Sequence, residues 1–166
     1  FDVDFYNSNK NTLHDTKLKY PMLFPKENDS VWFRKIEDKE ERALFTETQK
    51  KNKNVSSLEG RLEKLFKHII YYNPKYKIPR VITMLTDIDY DNRIIVAEDL
   101  LLISLDAYLG KDHTFYQDYP EYIKQNNTEK HLIVDVANKI IEKQVSINRQ
   151  RKFLDKMIAE GKKMYL

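Results

Sequence analysis

The chain contains no cysteine, and this absence excludes several kinds of chemistry at once. Disulfides, structural zinc held by thiolates and cysteine catalysis all need that residue. A cysteine-free protein suits the periplasm as well as the cytosol, so the compartment stays open. Glycine and proline are also scarce, with three and five residues among 166. Few residues of these two types indicate helices joined by short connections.

Two further features are missing: a strong excess of one charge and a long apolar run. Lysine and arginine number 29 against 26 acidic residues, which gives a net charge of +3. Nucleic-acid-binding domains usually concentrate a much larger basic excess on one face. The longest apolar run, Leu100 to Leu105, is broken by Ser104 and is far shorter than a membrane span. We therefore expect a mostly helical domain over residues 1–166 that binds no nucleic acid.

The two ends of the sequence carry expectations of their own. The chain starts at Phe1 without an initiator methionine, and it closes on the apolar residues Met164, Tyr165 and Leu166. Natural domain ends are usually polar. We expect the single domain to be truncated at its C-terminus, and any signal peptide or lipid-bearing cysteine to lie upstream of Phe1.

Helical periodicity dominates the chain, so the predicted fold is mainly α with a small antiparallel β-hairpin or sheet. Capping patterns at Asp38 and Ser56 open two helices, and further helices are expected over 9–24, 118–126, 129–145 and 149–165. The runs 81–85 and 93–97 are β-like, and the polar loop between them predicts that they form the hairpin. Residues 98–109 are apolar around the whole circumference, which predicts a helix in the middle of the core, ended by Gly110.

Two polar residues stand out near this predicted buried helix. Asp106 lies inside it, and burying an unpaired carboxylate is costly, so Asp106 is either a catalytic or ligating acid or a structural acid with a bonded partner. His113 follows in the polar and aromatic segment 110–116, where it either anchors the loop or ligates a metal. The four histidines form no His-x-x-x-His pair, the spacing at which one helical face offers zinc two imidazoles.

The acidic loop between the β-like runs offers a second metal hypothesis. Asp87, Asp89 and Asp91 alternate as in a calcium loop, but Asn92 stands where the EF-hand pattern needs glycine. A solvated turn explains the loop better.

The stretch 94–136 is the most distinctive part of the sequence. It resembles the gliding-motility-associated lipoprotein GldB of gliding Bacteroidota, through Ala97 to Gly110, Asp112-His113, Phe115-Tyr116 and Pro120 to Ile123. The resemblance implies an exported lipoprotein on the periplasmic side of the cell envelope, tethered to a membrane by an N-terminal lipid. It also implies partners in the gliding and type IX secretion machinery. It supplies no catalytic residue.

A more distant similarity points to zinc-dependent gluzincin peptidases. Glu160-Gly161 matches the downstream motif that supplies their third zinc ligand, but the predicted buried helix has no His-Glu-x-x-His. Without the two imidazoles, most of the affinity for zinc is lost. We therefore expect a degenerate zincin-like scaffold with no cofactor and no enzymatic activity. The alternative is a divergent zinc metallopeptidase with Asp106, His113 and Glu160 as ligands.

The aromatic loop 110–122 is the predicted binding surface of the non-enzymatic hypothesis. Tyr116, Tyr119 and Tyr122 are its candidate contact residues, because tyrosine is enriched in the cores of protein interfaces. The alternative for each ring is that it packs inward onto segment 98–109.

Overall fold

The computed structural model describes residues 1–53, 55–144 and 153–165. The described residues are mainly helical, with one small sheet. The α-helices are α1 (Asp2–Tyr6), α2 (Leu13–Lys19), α3 (Asp29–Glu37), α4 (Lys39–Lys51), α5 (Ser56–Tyr72), α6 (Glu121–Lys124), α7 (Glu129–Gln144) and α8 (Phe153–Tyr165). The strands are β1 (Arg80–Met84), β2 (Ile94–Val96) and β3 (Leu100–Ser104), and short 3₁₀ helices cover Pro21–Leu23, Leu105–Tyr108 and Thr114–Tyr116.

The two capping patterns predict the starts of α4 and α5 correctly, and in α4 the predicted residue is the N-cap itself. The Asp38 carboxylate accepts the backbone N–H groups of Glu40 at 2.9 Å and Glu41 at 3.0 Å, and α4 starts immediately after it. Helix α5 also starts at the expected place, but its N-cap position is Val55, which has no side-chain oxygen to cap with. The amphipathic pattern of α5 therefore fixes its position without a side-chain hydrogen bond from its N-cap residue.

The sheet differs from the predicted antiparallel hairpin, because β1 and β2 are not neighbours. Strand β3 lies between them, in the order β1-β3-β2. It pairs in parallel with β1, where Val81 faces Leu101, and antiparallel with β2, where Ile95 faces Leu102. The fold class is mainly α with a small sheet, as expected, but the sheet is mixed.

Strand β3 also corrects the prediction of a buried helix over 98–109. The segment is a strand followed by one 3₁₀ turn, and Gly110 leaves that turn with a φ of 117°. A strand that is covered on both faces has a continuous run of apolar residues. Periodicity cannot distinguish such a run from a buried helix. The prediction of burial itself is confirmed, since Leu101 and Ile103 are fully shielded from solvent.

The main core lies between this sheet and two helices. Leu58, Leu62 and Phe66 of α5 and three apolar residues of α7 join the side chains of β3 in one cluster. A second cluster, built around Phe5 and Tyr6, joins the N-terminal helices to Leu85, the residue directly after β1.

The remaining predicted helices are present in shorter form. The predicted helix 9–24 is α2 plus a 3₁₀ turn, and 118–126 contracts to the single turn of α6 after Pro120. Helix α7 matches 129–145 within the described residues, whereas residues 149–152 of the last predicted helix lie outside them. In the part of the chain that the structure describes, none of the helices combines the length and the apolar character that crossing a membrane requires.

Candidate functional site

Asp106 lies at the centre of the candidate site and is fully buried. Its Oδ2 accepts the backbone N–H of Ile88 at 2.7 Å and that of Thr86 at 3.1 Å. Its Oδ1 accepts the Ser104 hydroxyl at 2.7 Å, and that hydroxyl is also hydrogen-bonded to the Thr86 hydroxyl. The carboxylate thus ties the end of β3 to the loop that follows β1. These are the hydrogen bonds expected of the structural alternative for Asp106.

The loop after β1 has an unusual backbone that turns its amides toward Asp106. Asp87 and Ile88 both have positive φ values, of 58° and 56°. The left-handed region is uncommon for residues other than glycine and disfavours a β-branched side chain in particular. Ile88 is nevertheless buried and packs beside Leu44, Leu109 and Tyr116. The hydrogen bonds to Asp106 and this apolar packing together hold the strained turn.

A second buried carboxyl group lies against the same loop. Asp2 is 3% exposed, and its Oδ1 accepts the backbone N–H of Leu85 at 3.1 Å. Its Oδ2 is buried without a hydrogen-bond partner among the described residues. Burial raises the pKa of Asp2 to about 7, and the nearby Asp106 charge acts in the same direction. Burial also raises the pKa of Asp106, although the hydrogen bonds from Ile88, Ser104 and Thr86 oppose that shift.

The three candidate tyrosines occupy three different environments. Tyr116 is fully buried, and its hydroxyl donates to the Asp106 carbonyl and accepts the Leu109 N–H at 2.9 Å. Tyr119 is half-buried and donates to the Ile88 carbonyl at 3.0 Å. Tyr122 is 70% exposed. The Tyr116 ring is therefore not on the surface, contrary to the contact role predicted for it, and Tyr122 alone of the three presents most of its side chain to solvent.

The other two predicted metal ligands are far less buried than Asp106. The Nδ1 of His113 accepts the backbone N–H of Phe115 at 3.4 Å, and its Nε2 lies 3.8 Å from a carboxylate oxygen of Glu47. The bond to Phe115 lies within its own loop, as expected of the anchoring alternative for His113. Glu160 is exposed on α8 and pairs with Lys163 at 2.9 Å.

The structure gives no support to the metallopeptidase alternative. Within residues 1–53, 55–144 and 153–165, no three or more histidine, cysteine or acidic side chains are placed so that they could hold a metal ion. Asp106, His113 and Glu160 are all among these residues, so they do not form a ligand set. In the acidic loop, Asp89 Oδ1 accepts the N–H groups of Asp91 and Asn92, the bonding of a tight turn.

Sequence reasoning found Asp106 but missed its surroundings. Asp2 and the two amide donors lie in segments remote from Asp106 along the chain, and the turn that aims the amides depends on two left-handed residues. The short spacing from Ser104 to Asp106 was the one local signal, since it puts a hydroxyl beside the carboxylate.

Comparison with known proteins identifies a family. The model of the lipoprotein family described as "Gliding motility protein GldB" matches residues 1–166. Searches of curated proteins and of solved structures return no match. A zincin-like relationship is therefore not shown.

Proposed function

The chain belongs to the GldB family of gliding motility proteins, and we propose that it is a non-enzymatic, lipid-anchored component of the gliding machinery that acts through protein contacts. We place it on the periplasmic side of the cell envelope, with partners among the gliding and type IX secretion proteins. The family supports the link to motility, and its designation as a lipoprotein family supports the anchor.

The bonding of Asp106 carries the non-enzymatic part of this proposal. A general acid, a general base or a metal ligand needs an oxygen that can reach the reacting group or the ion. Both oxygens of Asp106 are instead bonded to Thr86, Ile88 and Ser104 in a fully buried position. Each oxygen of the strongest catalytic candidate in the sequence therefore already accepts a hydrogen bond within the fold.

The outer face of α8 supports the proposed contacts. Four large apolar side chains there are about half exposed or more: Phe153 at 79%, Leu154 at 61%, Met157 at 55% and Ile158 at 49%. They recur at helical spacing, so they form one stripe, and Ala159 is the single buried residue among those described in α8. Contiguous apolar surface of this kind marks interaction sites. Tyr122 is a further proposed contact residue.

Gene replacement in a gliding bacterium that carries a GldB-family protein tests the proposal. We expect cells without the protein to stop gliding, and cells with Phe153→Ser and Met157→Ser to glide poorly at a normal protein level. Lys156→Ser and Lys162→Ser change the polar side of the same helix and provide the matched control. Membrane fractionation and protease access to spheroplasts locate the protein. Normal gliding without the protein, or a purely cytoplasmic protein, would contradict the proposal.

A further inference from the structure

Strand β1 lies at one edge of the sheet, and its open side faces an apolar groove of about 680 Å³. Helix α5 forms the opposite wall with Leu62, Phe66 and Ile70. Four consecutive residues, Arg80 to Thr83, line the β1 side. Successive side chains of a strand point to opposite faces of the sheet, so four consecutive lining residues mean that the groove runs along the strand edge itself.

The register of the sheet identifies the backbone groups that this edge presents. The backbone N–H of Arg80 donates to the Asp99 carbonyl at 2.8 Å, on the β3 side. In a parallel ladder, alternate residues bond to the same neighbouring strand. Arg80, Ile82 and Met84 therefore bond toward β3, while the N–H and C=O groups of Val81 and Thr83 point into the groove. Among the described residues, no hydrogen bond reaches these four groups.

Unpaired edge groups beside apolar walls specify the shape of a ligand. A strand edge left open is a template for another extended chain. Main-chain hydrogen bonds then supply affinity, and alternate side chains fill the apolar wall. A helix cannot pair with these groups, because its own backbone bonds are already made within it.

The charges around the groove add a preference for one end of the ligand. On the α5 wall, Glu63 pairs with Lys67 at 2.6 Å, so these two charges neutralise each other, and Glu59 is a further carboxylate there. Arg80 is exposed at the start of β1, and its guanidinium lies 5.8 Å from the centre of the Tyr20 ring. Within the described part of the chain it has no carboxylate partner. Because Arg80 is the first residue of β1, the C-terminal end of a segment that runs antiparallel to β1 lies next to Arg80.

We propose that the β1 edge binds an extended segment of a partner protein, antiparallel to β1, with apolar residues at alternate positions and a carboxylate beside Arg80. This inference rests on the proposed function, since it supplies one of the contacts through which the protein would act. The pairing is β-augmentation of the sheet, and its donors and acceptors are the backbone groups of Val81 and Thr83.

A synthetic peptide tests the pairing directly. The probe is a fluorescein-labelled peptide of alternating valine and threonine that ends in aspartate, and its binding is followed by fluorescence polarisation. Two further peptides carry N-methyl groups on alternate peptide nitrogens, one in each register. We expect one of them to bind at least about tenfold more weakly and the other to bind like the parent. Equal binding of both methylated peptides, or no saturable binding of the parent up to about 1 mM, would overturn the proposal.

Protein variants provide the complementary test. Thr83→Pro removes an outward N–H and leaves the bonds to β3 intact, because proline is tolerated where the N–H of an edge strand faces outward. We expect Thr83→Pro to weaken binding at least about tenfold, whereas the control Thr83→Val retains the N–H and the affinity. Arg80→Glu should weaken binding severalfold. Unchanged binding by a folded Thr83→Pro chain would overturn the proposal. Dimerisation that Thr83→Pro abolishes would do the same, since the occupant would then be a second copy.

The cellular experiment separates this inference from the proposed function. We expect cells with Thr83→Pro to glide poorly at a normal protein level, and cells with Thr83→Val to glide normally. If gliding needs the protein but Thr83→Pro cells glide normally, the groove proposal fails and the proposed function stands. If cells without the protein glide normally, the proposed function fails, whatever the peptide experiments show.

Discussion

The hydroxyl of Tyr116 donates a hydrogen bond to the backbone carbonyl of Asp106, and both residues are fully buried. The same hydroxyl accepts the Leu109 N–H, so it bonds to both ends of the 3₁₀ segment. Burial raises the pKa of Tyr116, which keeps its proton available as a donor. The aromatic loop is in this way fastened to the end of the central strand, and the Tyr116 ring belongs to the core.

Removing the Tyr116 hydroxyl should therefore destabilise the fold. Tyr116→Phe leaves the Asp106 carbonyl and the Leu109 N–H buried without this partner, and we expect a loss of about 1–3 kcal/mol in the free energy of unfolding. Urea denaturation measures it. Tyr122→Phe is the matched control, because Tyr122 is exposed, and it should change stability by less than about 0.5 kcal/mol. Equal effects of the two variants would contradict the buried role of Tyr116.

The raised pKa of Asp2 predicts a pH dependence of stability. The pKa is about 7 in the folded chain and 3.8 ordinarily, so between these values the unfolded state releases the proton that the folded state keeps. The unfolded state then binds fewer protons, and stability falls as pH rises through this window. Asp2→Asn removes the contribution of Asp2 to this dependence. We expect the stability of Asp2→Asn relative to the parent chain to rise by about 2–4 kcal/mol from about pH 4 to about pH 8.

Asp4→Asn is the control for this titration. Hydrogen bonds from Lys19 and Tyr20 lower the pKa of Asp4, so its contribution to stability is lost only as pH falls below the ordinary range of aspartate. Its difference from the parent chain should stay level from about pH 5 to about pH 8. If the difference in stability between Asp2→Asn and the parent chain also stays constant across this pH range, the raised pKa of Asp2 is contradicted.

The pattern of burial along β3 predicts alternating mutational effects. Leu101 is fully buried, whereas its neighbour Leu102 is partly exposed. Leu101→Ala should cost about 2–5 kcal/mol through lost burial and the cavity left behind, and Leu102→Ala clearly less. Thermal or urea unfolding of the two variants makes the comparison. A larger effect at Leu102 would contradict the strand register.

The sequence predicts those elements whose apolar pattern fits only one type of secondary structure. Helices α4, α5 and α7 have one apolar stripe each, and capping patterns mark the starts of α4 and α5, so the positions of these helices follow from the sequence. Strand β3 has no polar face, and the same apolar run fits a buried helix. If β3 is interpreted as a helix, β1 and β2 can pair only with each other, which predicts the wrong sheet.

The candidate site is also predictable only in part. Burial of Asp106 follows from its apolar neighbours, and a structural acid with a bonded partner is one of its two predicted roles. The donors at Thr86 and Ile88 could not be predicted, because nothing in the residue types marks a left-handed turn at Ile88. The inward direction of the Tyr116 ring could not be predicted from the sequence either. A tyrosine in a loop packs inward or outward according to contacts that are distant in sequence.

The bonding of Asp106 predicts opposite effects for two substitutions. Asp106→Ala leaves the donors of Thr86, Ile88 and Ser104 without their acceptor, and we expect a loss of about 3–5 kcal/mol or a failure to fold. In Asp106→Asn the amide oxygen still accepts both N–H groups, and the amide N–H₂ can donate to Ser104 once the hydroxyls of Ser104 and Thr86 reverse their bond. Urea denaturation should show a much smaller loss for Asp106→Asn.

The most direct test of the whole account is the gliding speed of cells whose protein carries Asp106→Asn. If the protein acts through contacts and Asp106 serves as a hydrogen-bond acceptor inside the fold, these cells should glide at close to the parental speed with a normal protein level. A carboxylate that acts as an acid, a base or a metal ligand could not be replaced by an amide in this way. Loss of gliding with a stable, normally abundant Asp106→Asn protein would contradict the non-enzymatic account.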